Sequence, residues 1–264
     1  MAPMKEVKNQ FSPRIGLKLW SSNVENYIKE VERLHKSGYF DYIELYVVPN
    51  TLHTLKRWRC LNIPFQIHAP HFAHGVNLAE QSQKNYNIGV YEQVKIFSEA
   101  LSVEYVIIHL GTEGSIGESI RQLKLIRLPS MLVENKPFMM PGSQKLHCRG
   151  AIADEILLAM HSLECGFCLD IGHAICTANH LHIDPYNMLE TFESLNPLCY
   201  HISDNYFDSS VDRHLNFGTG NYNFYNIFKI IQKPLSITIE TDKNSQNNLD
   251  DFVKDSIFLK GFFV

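Results

Sequence analysis

Eight short apolar, β-rich runs are spaced along this chain with helical patterns between them, and that alternation leaves few folds open. The runs lie near 15–20, 42–48, 65–68, 105–109, 131–134, 167–170, 198–202 and 235–240. Their near-continuous apolar character suits strands buried on both faces, as in a parallel sheet covered by helices. Val24, Tyr27, Ile28, Val31 and Leu34 recur at helical spacing after the capping cluster Ser21-Ser22-Asn23, and Gly38 closes that helix. Tyr91, Val94, Phe97, Ser98 and Leu101 make a second stripe, and 151–163, 186–195, 224–231 and 249–259 continue the order. An open doubly wound sheet also alternates, but it normally carries a Gly-rich phosphate turn after its first strand, and Trp20-Ser21-Ser22-Asn23 is not one. Eight strands in 264 residues predict a closed (β/α)8 barrel, a single α/β domain over 1–264 with 1–10 poorly ordered.

Six of the runs end in a metal-type side chain: Gln66-Ile67-His68, Val106-Ile107-Ile108-His109, Met131-Leu132-Val133-Glu134, Phe167-Cys168-Leu169-Asp170, Cys199-Tyr200-His201 and Ile237-Thr238-Ile239-Glu240. Parallel barrel strands bring their C-terminal ends to one face, so these donors converge. A lone histidine there is more often a hydrogen-bonded core residue, but three histidines, two glutamates and an aspartate at six strand ends point to a metal site. Imidazole with carboxylate suits zinc, manganese, iron or cobalt, whereas all-oxygen sets suit magnesium or calcium. Asp170-Ile-Gly-His173 adds an imidazole on the same strand-end turn, and Asp212-Arg-His214 adds a pair whose alternation points both donors to one side of an extended segment. One ion of this type takes about four to six ligands, so nine candidates predict two or three ions sharing a carboxylate such as Glu134.

The 45% hydrophobic and 20% charged composition is that of an ordinary globular protein. Met1 to Gln10 lack the apolar stretch of a signal peptide and no run is long enough to span a bilayer, which predicts a soluble, cytoplasmic protein. Cys60, Cys148, Cys165, Cys168, Cys176 and Cys199 lie mostly in apolar segments and read as reduced thiols, Cys165-Gly-Phe-Cys168 included. A net charge of −4 and a pI near 6.3 give no overall pull toward nucleic acid. The basic clusters Lys56-Arg57-Trp58-Arg59 and Arg121 to Arg127 read as solvated helix faces.

His68-Ala-Pro, His109-Leu-Gly, Glu134-Asn, Asp170-Ile-Gly-His173, His201-Ile-Ser-Asp204, Asp212-Arg-His214 with Gly218-Thr-Gly220, and Glu240 resemble the ordered motifs of the xylose isomerase-like TIM-barrel superfamily. That group includes sugar and sugar-phosphate isomerases and epimerases, and endonuclease IV of the AP endonuclease family 2. The resemblance to the sugar enzymes implies one divalent ion, zinc or manganese, on Glu134, Asp170, His201 and Glu240. Glu134 and Glu240 would then move the proton of a metal-stabilised enediolate, with His173 on a substrate oxygen. The resemblance to endonuclease IV implies three zinc ions: His68, His109 and Glu134 for one, Glu134, Asp170, His201 and Glu240 for a second, His173, Asp212 and His214 for a third. Its implied reaction is hydrolysis of a phosphodiester beside an abasic site in DNA.

Glu44 in Ile43-Glu44-Leu45-Tyr46 looks more like the sugar-enzyme branch, where it lines the pocket, and reads equally as a buried glutamate paired with Lys18. The loop from His71 to Asn77 carries aromatic and histidine side chains but no arginine to grip phosphate, and Arg213 is the one arginine beside the metal-type residues. Lys136 to Gly142 follows Glu134 and is expected to pack at the pocket rim. The leading expectation is therefore a sugar or sugar-phosphate isomerase/epimerase holding one to three ions, with Glu44, His71 and Arg213 touching substrate. The alternative is an abasic-site endonuclease, and a non-catalytic metal-stabilised binding barrel is the third class.

Overall fold

The computed structural model describes residues 12–140, 142–143, 146–231 and 234–263, so the N-terminal segment 1–10 lies outside the described residues. β1 (Arg14–Trp20) leads through α1 (Val24–Lys36) to β2 (Tyr42–Tyr46), and a short α2 (Leu55–Trp58) precedes β3 (Phe65–His68). α3 (Lys84–Leu101), β4 (Val106–Ile108), α4 (Ile116–Ile126), β5 (Met131–Glu134), α5 (Ala153–Leu163) and β6 (Gly166–Asp170) follow. Then come α6 (Ile171–Leu181), α7 (Pro185–Glu193), β7 (Cys199–Ile202), α8 (Phe224–Ile230), β8 (Ser236–Ile239) and α9 (Asp250–Lys260). Every strand pairs in parallel with its sequence neighbours and β8 closes on β1, giving the predicted (β/α)8 barrel. No helix among the described residues is long and apolar enough to cross a membrane.

The helices form where the stripes predict. On α1, Val24, Tyr27, Val31 and Leu34 are buried at helical spacing against the sheet. Lys56, Arg57 and Arg59 stand on the exposed side of α2 and its end, as read from the sequence, and all six cysteines are free thiols. Arg121 and Lys124 stand on the exposed side of α4 with Arg127 just after it, as read from the sequence, whereas the pattern does not predict α6. α6 begins directly at the end of β6, so Asp170-Ile-Gly-His173 is a first helical turn rather than an open one. There Asp170 acts as N-cap, its carboxylate accepting the His173 N–H at 2.7 Å.

The barrel lumen is unusual for its polarity. Such interiors are mostly filled by branched aliphatic side chains. Here one side holds the apolar set Ile107, Leu132, Cys168 and Cys199. The other holds Lys18 and Glu44 in register, with Gln66 beside Glu44 on β3. Beneath them the Tyr42 ring lies over Gly16, where a Cβ would stand 2.5 Å from the ring, and the Tyr42 hydroxyl bonds Thr238 Oγ1 at 2.8 Å. Gly16 thus makes room for a large side chain that plugs the lower lumen, and the polar layer rests on that plug.

Candidate metal centre

The C-terminal ends of the strands deliver the predicted donors to one centre. His68 Nε2 and His109 Nε2 lie 2.9 and 3.0 Å from Glu134 Oε2. His173 Nε2 and His214 Nε2 lie 3.3 and 3.0 Å from Asp212 Oδ2. Between these groups, Glu134, Asp170 and His173 come together, with His173 Nδ1 3.1 Å from Glu134 Oε1. His201 and Glu240 fall into a fourth group with Glu44 and His68, His201 Nδ1 being 3.1 Å from Glu240 Oε1. Each of these four groups has its donor atoms within 4.8 Å of one another. The four residues expected around a single ion, Glu134, Asp170, His201 and Glu240, are divided between two groups.

The loop chemistry explains how distant donors are held. Asp204 accepts from the amides of Asn205, Gly218, Gly220 and Tyr222 at 2.8 to 3.2 Å, which gathers the long loop after β7. His214 sits in that loop at φ +48°, a left-handed conformation, and its carbonyl accepts from the Asp242 amide at 2.9 Å. With His214 in that conformation the Asp212-Arg-His214 segment is not the extended stretch expected, yet both donors meet.

Several atoms at the centre fit a shared cation. His68 Nδ1 bonds the Ala69 carbonyl at 2.9 Å, which fixes its ring and leaves Nε2 facing inward. His109 Nδ1, Glu134 Oε1, His201 Nδ1, Asp212 Oδ2 and His214 Nδ1 are buried without a hydrogen-bond partner among the described residues. Glu134 Oε1, His201 Nδ1 and Asp212 Oδ2 nevertheless stand 3.0 to 3.5 Å from an imidazole nitrogen or carboxylate oxygen of another donor. Convergence without mutual hydrogen-bond geometry suits donors that share an ion.

Two ammonium groups enter the same centre. Lys18, 5% exposed, contacts Glu44 Oε1 at 2.5 Å and Glu240 Oε1. Lys136, 6% exposed, lies 3.2 Å from His173 Nε2 and 3.6 Å from Glu134 Oε1. Burial pushes the Glu44 carboxyl up, but the His201 and Lys18 charges outweigh it and hold it down at about 2. Burial likewise opposes the charge on His201, and Glu240 and Glu44 overcome it, so that imidazole titrates well above its ordinary range. Burial lowers His68 and His109, which keeps both rings neutral. Burial raises Asp170 to about 6, against the pull of His173.

Six of the donors, His68, His109, Glu134, His173, His214 and Glu240, line a cleft of about 160 Å³ together with Trp20, Tyr46, His71 and the three lysines Lys18, Lys136 and Lys243. His71 stacks on His109 with ring centroids 4.7 Å apart, and its amide donates to the Tyr46 hydroxyl at 3.1 Å. Glu44 is fully buried beneath the cleft, where it bonds Lys18, His201 and Thr238, so the paired-glutamate reading describes its place. Arg213 is exposed over the Tyr206 ring and does not line the cleft. The loop after Glu134 contributes Lys136 to this cleft, while Pro137, Met139 and Met140 wall a neighbouring one with Asp212; Pro141 lies outside the described residues. Lys18, Lys136, Lys243, Trp20 and Tyr46 are not among the site residues that the sequence predicts. A charged residue inside the apolar run Ile-Gly-Leu-Lys-Leu-Trp is the available signal for the first.

No protein-family profile and no curated protein sequence matches the chain. Solved structures do. A D-tagatose 3-epimerase-like protein superposes with a TM-score of 0.69 at 20% identity, covering 94% of this chain and 96% of its own. Endonuclease IV from Thermus thermophilus gives 0.65 at 19% identity, with 94% and 100% covered. An AP endonuclease, family 2, from Brucella melitensis gives 0.67 at 14%, with 95% and 99% covered. The fold of this chain is that of the xylose isomerase-like TIM barrels, among which sugar-epimerase-like and abasic-endonuclease structures both stand.

Proposed function

We propose that the chain is a divalent-metal-dependent phosphodiester hydrolase whose substrate class is DNA carrying an abasic site. The observation that carries this reading is the assembly of His68–His109–Glu134 and His173–Asp212–His214 as two compact donor groups. A single-ion isomerase needs neither of them. It needs Glu134, Asp170, His201 and Glu240 around one ion, a set that the three-ion hydrolase shares. The two additional donor groups support ranking the hydrolase ahead of the isomerase, the reverse of the order expected from the sequence. An ion held by these donors supplies Lewis-acid charge for a phosphoryl oxygen and lowers the pKa of water near neutrality.

The chain's own side chains do the rest. Lys136 and Lys243 place positive charge on the cleft wall where a phosphoryl group enters. Trp20, 39% exposed at the end of β1, and Tyr46 behind it offer an apolar face to a base-free sugar. Glu134, touching His68, His109 and His173, holds the donor groups in register with one another.

The test is cleavage of a duplex with one stable abasic-site analogue by zinc- and manganese-loaded protein. Nicking by the wild type, abolished in a Glu134→Gln variant with unchanged circular dichroism, is the expected result. Metal-loaded wild type that leaves the duplex intact would overturn the reading. The isomerase remains the second reading because the net charge is −4 and the basic residues of α2 face solvent on a helix rather than lining the cleft. Interconversion of phosphorylated ketoses by the same preparation would establish it.

A further inference from the structure

We infer that this chain works with one tightly held divalent ion, on His68, His109 and Glu134, and that the ammonium groups of Lys18 and Lys136 stand in for further ions at the other donor groups. The inference rests on the metal-centre reading above but not on which reaction the centre performs.

A zinc ion sits about 2.0 to 2.2 Å from its nitrogen and oxygen donors. In the His173–Asp212–His214 group the atom facing such an ion is His173 Nε2, and Lys136 Nζ already stands 3.2 Å from it. In the Glu44–His68–His201–Glu240 group, Glu240 Oε1 is contacted by Lys18 Nζ, and the same ammonium holds Glu44 Oε1 at 2.5 Å. Neither lysine is a surface side chain that happens to reach in. Lys18 rises from the lumen face of β1, Lys136 follows the strand that carries Glu134, and both are buried. In the His68–His109–Glu134 group both imidazole Nε2 atoms converge on Glu134 Oε2, and Lys136 lies 3.6 Å from the other carboxylate oxygen. In the His173–Asp212–His214 group two imidazoles converge on Asp212 Oδ2 in the same way, but there Lys136 stands against an imidazole donor itself.

The test counts ions. Full-length protein is stripped with chelator, reloaded with excess zinc or cobalt(II), freed of loosely held metal by gel filtration, and analysed for metal by mass spectrometry. One equivalent per chain is expected, lost in His109→Ala and retained in Asp212→Ala. Lys136→Gln is expected to take up one additional equivalent, and Lys18→Gln another. Two or three equivalents in the wild type would overturn the inference whatever the variants do. One equivalent that survives His109→Ala, or a folded Lys136→Gln chain that stays at one, would overturn it too. Three ions with abasic nicking would sink this inference and leave the functional reading standing; one ion without nicking would do the reverse, and no ion at all would end both.

Discussion

Replacing Lys18 with Met asks how much of the barrel's stability depends on a cation inside it. The ammonium is held by Glu44, fully buried, and by Glu240, whose side chain is 11% exposed. At an effective dielectric of about 20, one such pair attracts by about 4 kcal/mol at 4 Å. Two pairs give about 8 kcal/mol, from which the desolvation of a buried ammonium removes several. Removing it also leaves two carboxylates facing each other with only His201 between them. The net loss falls in the range of about 3–5 kcal/mol seen when one partner of a buried pair is deleted. At about 2–4 °C per kcal/mol for a chain somewhat below this size, Tm drops by about 10 °C. The assay is thermal and urea unfolding of metal-free protein for wild type, Lys18→Met, Glu44→Gln and the double variant. The pair predicts that the double loses at least about 2 kcal/mol less than the sum of the singles. Additive singles, or a Lys18→Met shift of only a degree or two, would refute the reasoning.

Other consequences are shorter to state. Because Glu44 titrates at about 2 when folded and near 4.5 when free, it contributes stability above pH 4.5 that is lost as pH falls toward 2, on the order of 3 kcal/mol. Urea midpoints from pH 5 to 2.5 should therefore fall more steeply for wild type than for Glu44→Gln, and equal slopes would contradict this. Asp204→Ala frees the amides of Gly218, Gly220 and Tyr222, so the loop bearing Asp212 and His214 should lose protection from hydrogen exchange while the barrel strands keep theirs. Gly220→Ala should do the same, since a Cβ there collides with the Asn205 carbonyl and the Asp204 carboxylate. Tyr46→Phe removes the acceptor of the His71 amide and the partner of His74 Nδ1 at 2.8 Å, and should cost about 1 kcal/mol with the larger effect on KM than on kcat.

The strand ends are legible because a donor breaks an apolar run at a fixed place. His68, His109, Glu134, Asp170, His201 and Glu240 each follow several β-prone residues, and a parallel barrel has only one face for them. α6 is illegible for the opposite reason. Residues 171–178 are all buried, so no polar face exists to mark a helical period. α4 is legible from its charges, since Arg121 to Arg127 reads as a solvated helix face, and Ile120, Leu123 and Ile126 are the buried stripe opposite. Alternation places Lys18 on one face with Gly16 and Trp20, yet a lysine's long stem allows it to reach water from many positions. Only the closure of β8 on β1, which sets Glu240 beside Lys18, decides that it points inward.

The polar lumen also bears on how folding and ion loading relate. A barrel whose rim carboxylates had only metal ions for neutralisation would be strained until an ion arrived, as small metal-dependent domains are. Here Glu44 and Glu240 have Lys18, Glu134 has Lys136 nearby, and Tyr42 over Gly16 closes the lumen beneath them. Each of these contacts is made by the chain itself. The metal-free barrel is therefore expected to keep its cooperative unfolding transition, and the stabilisation added by zinc should follow the occupancy of the His68–His109–Glu134 group alone. That coupling is what separates a centre built around internal cations from one assembled by its metals.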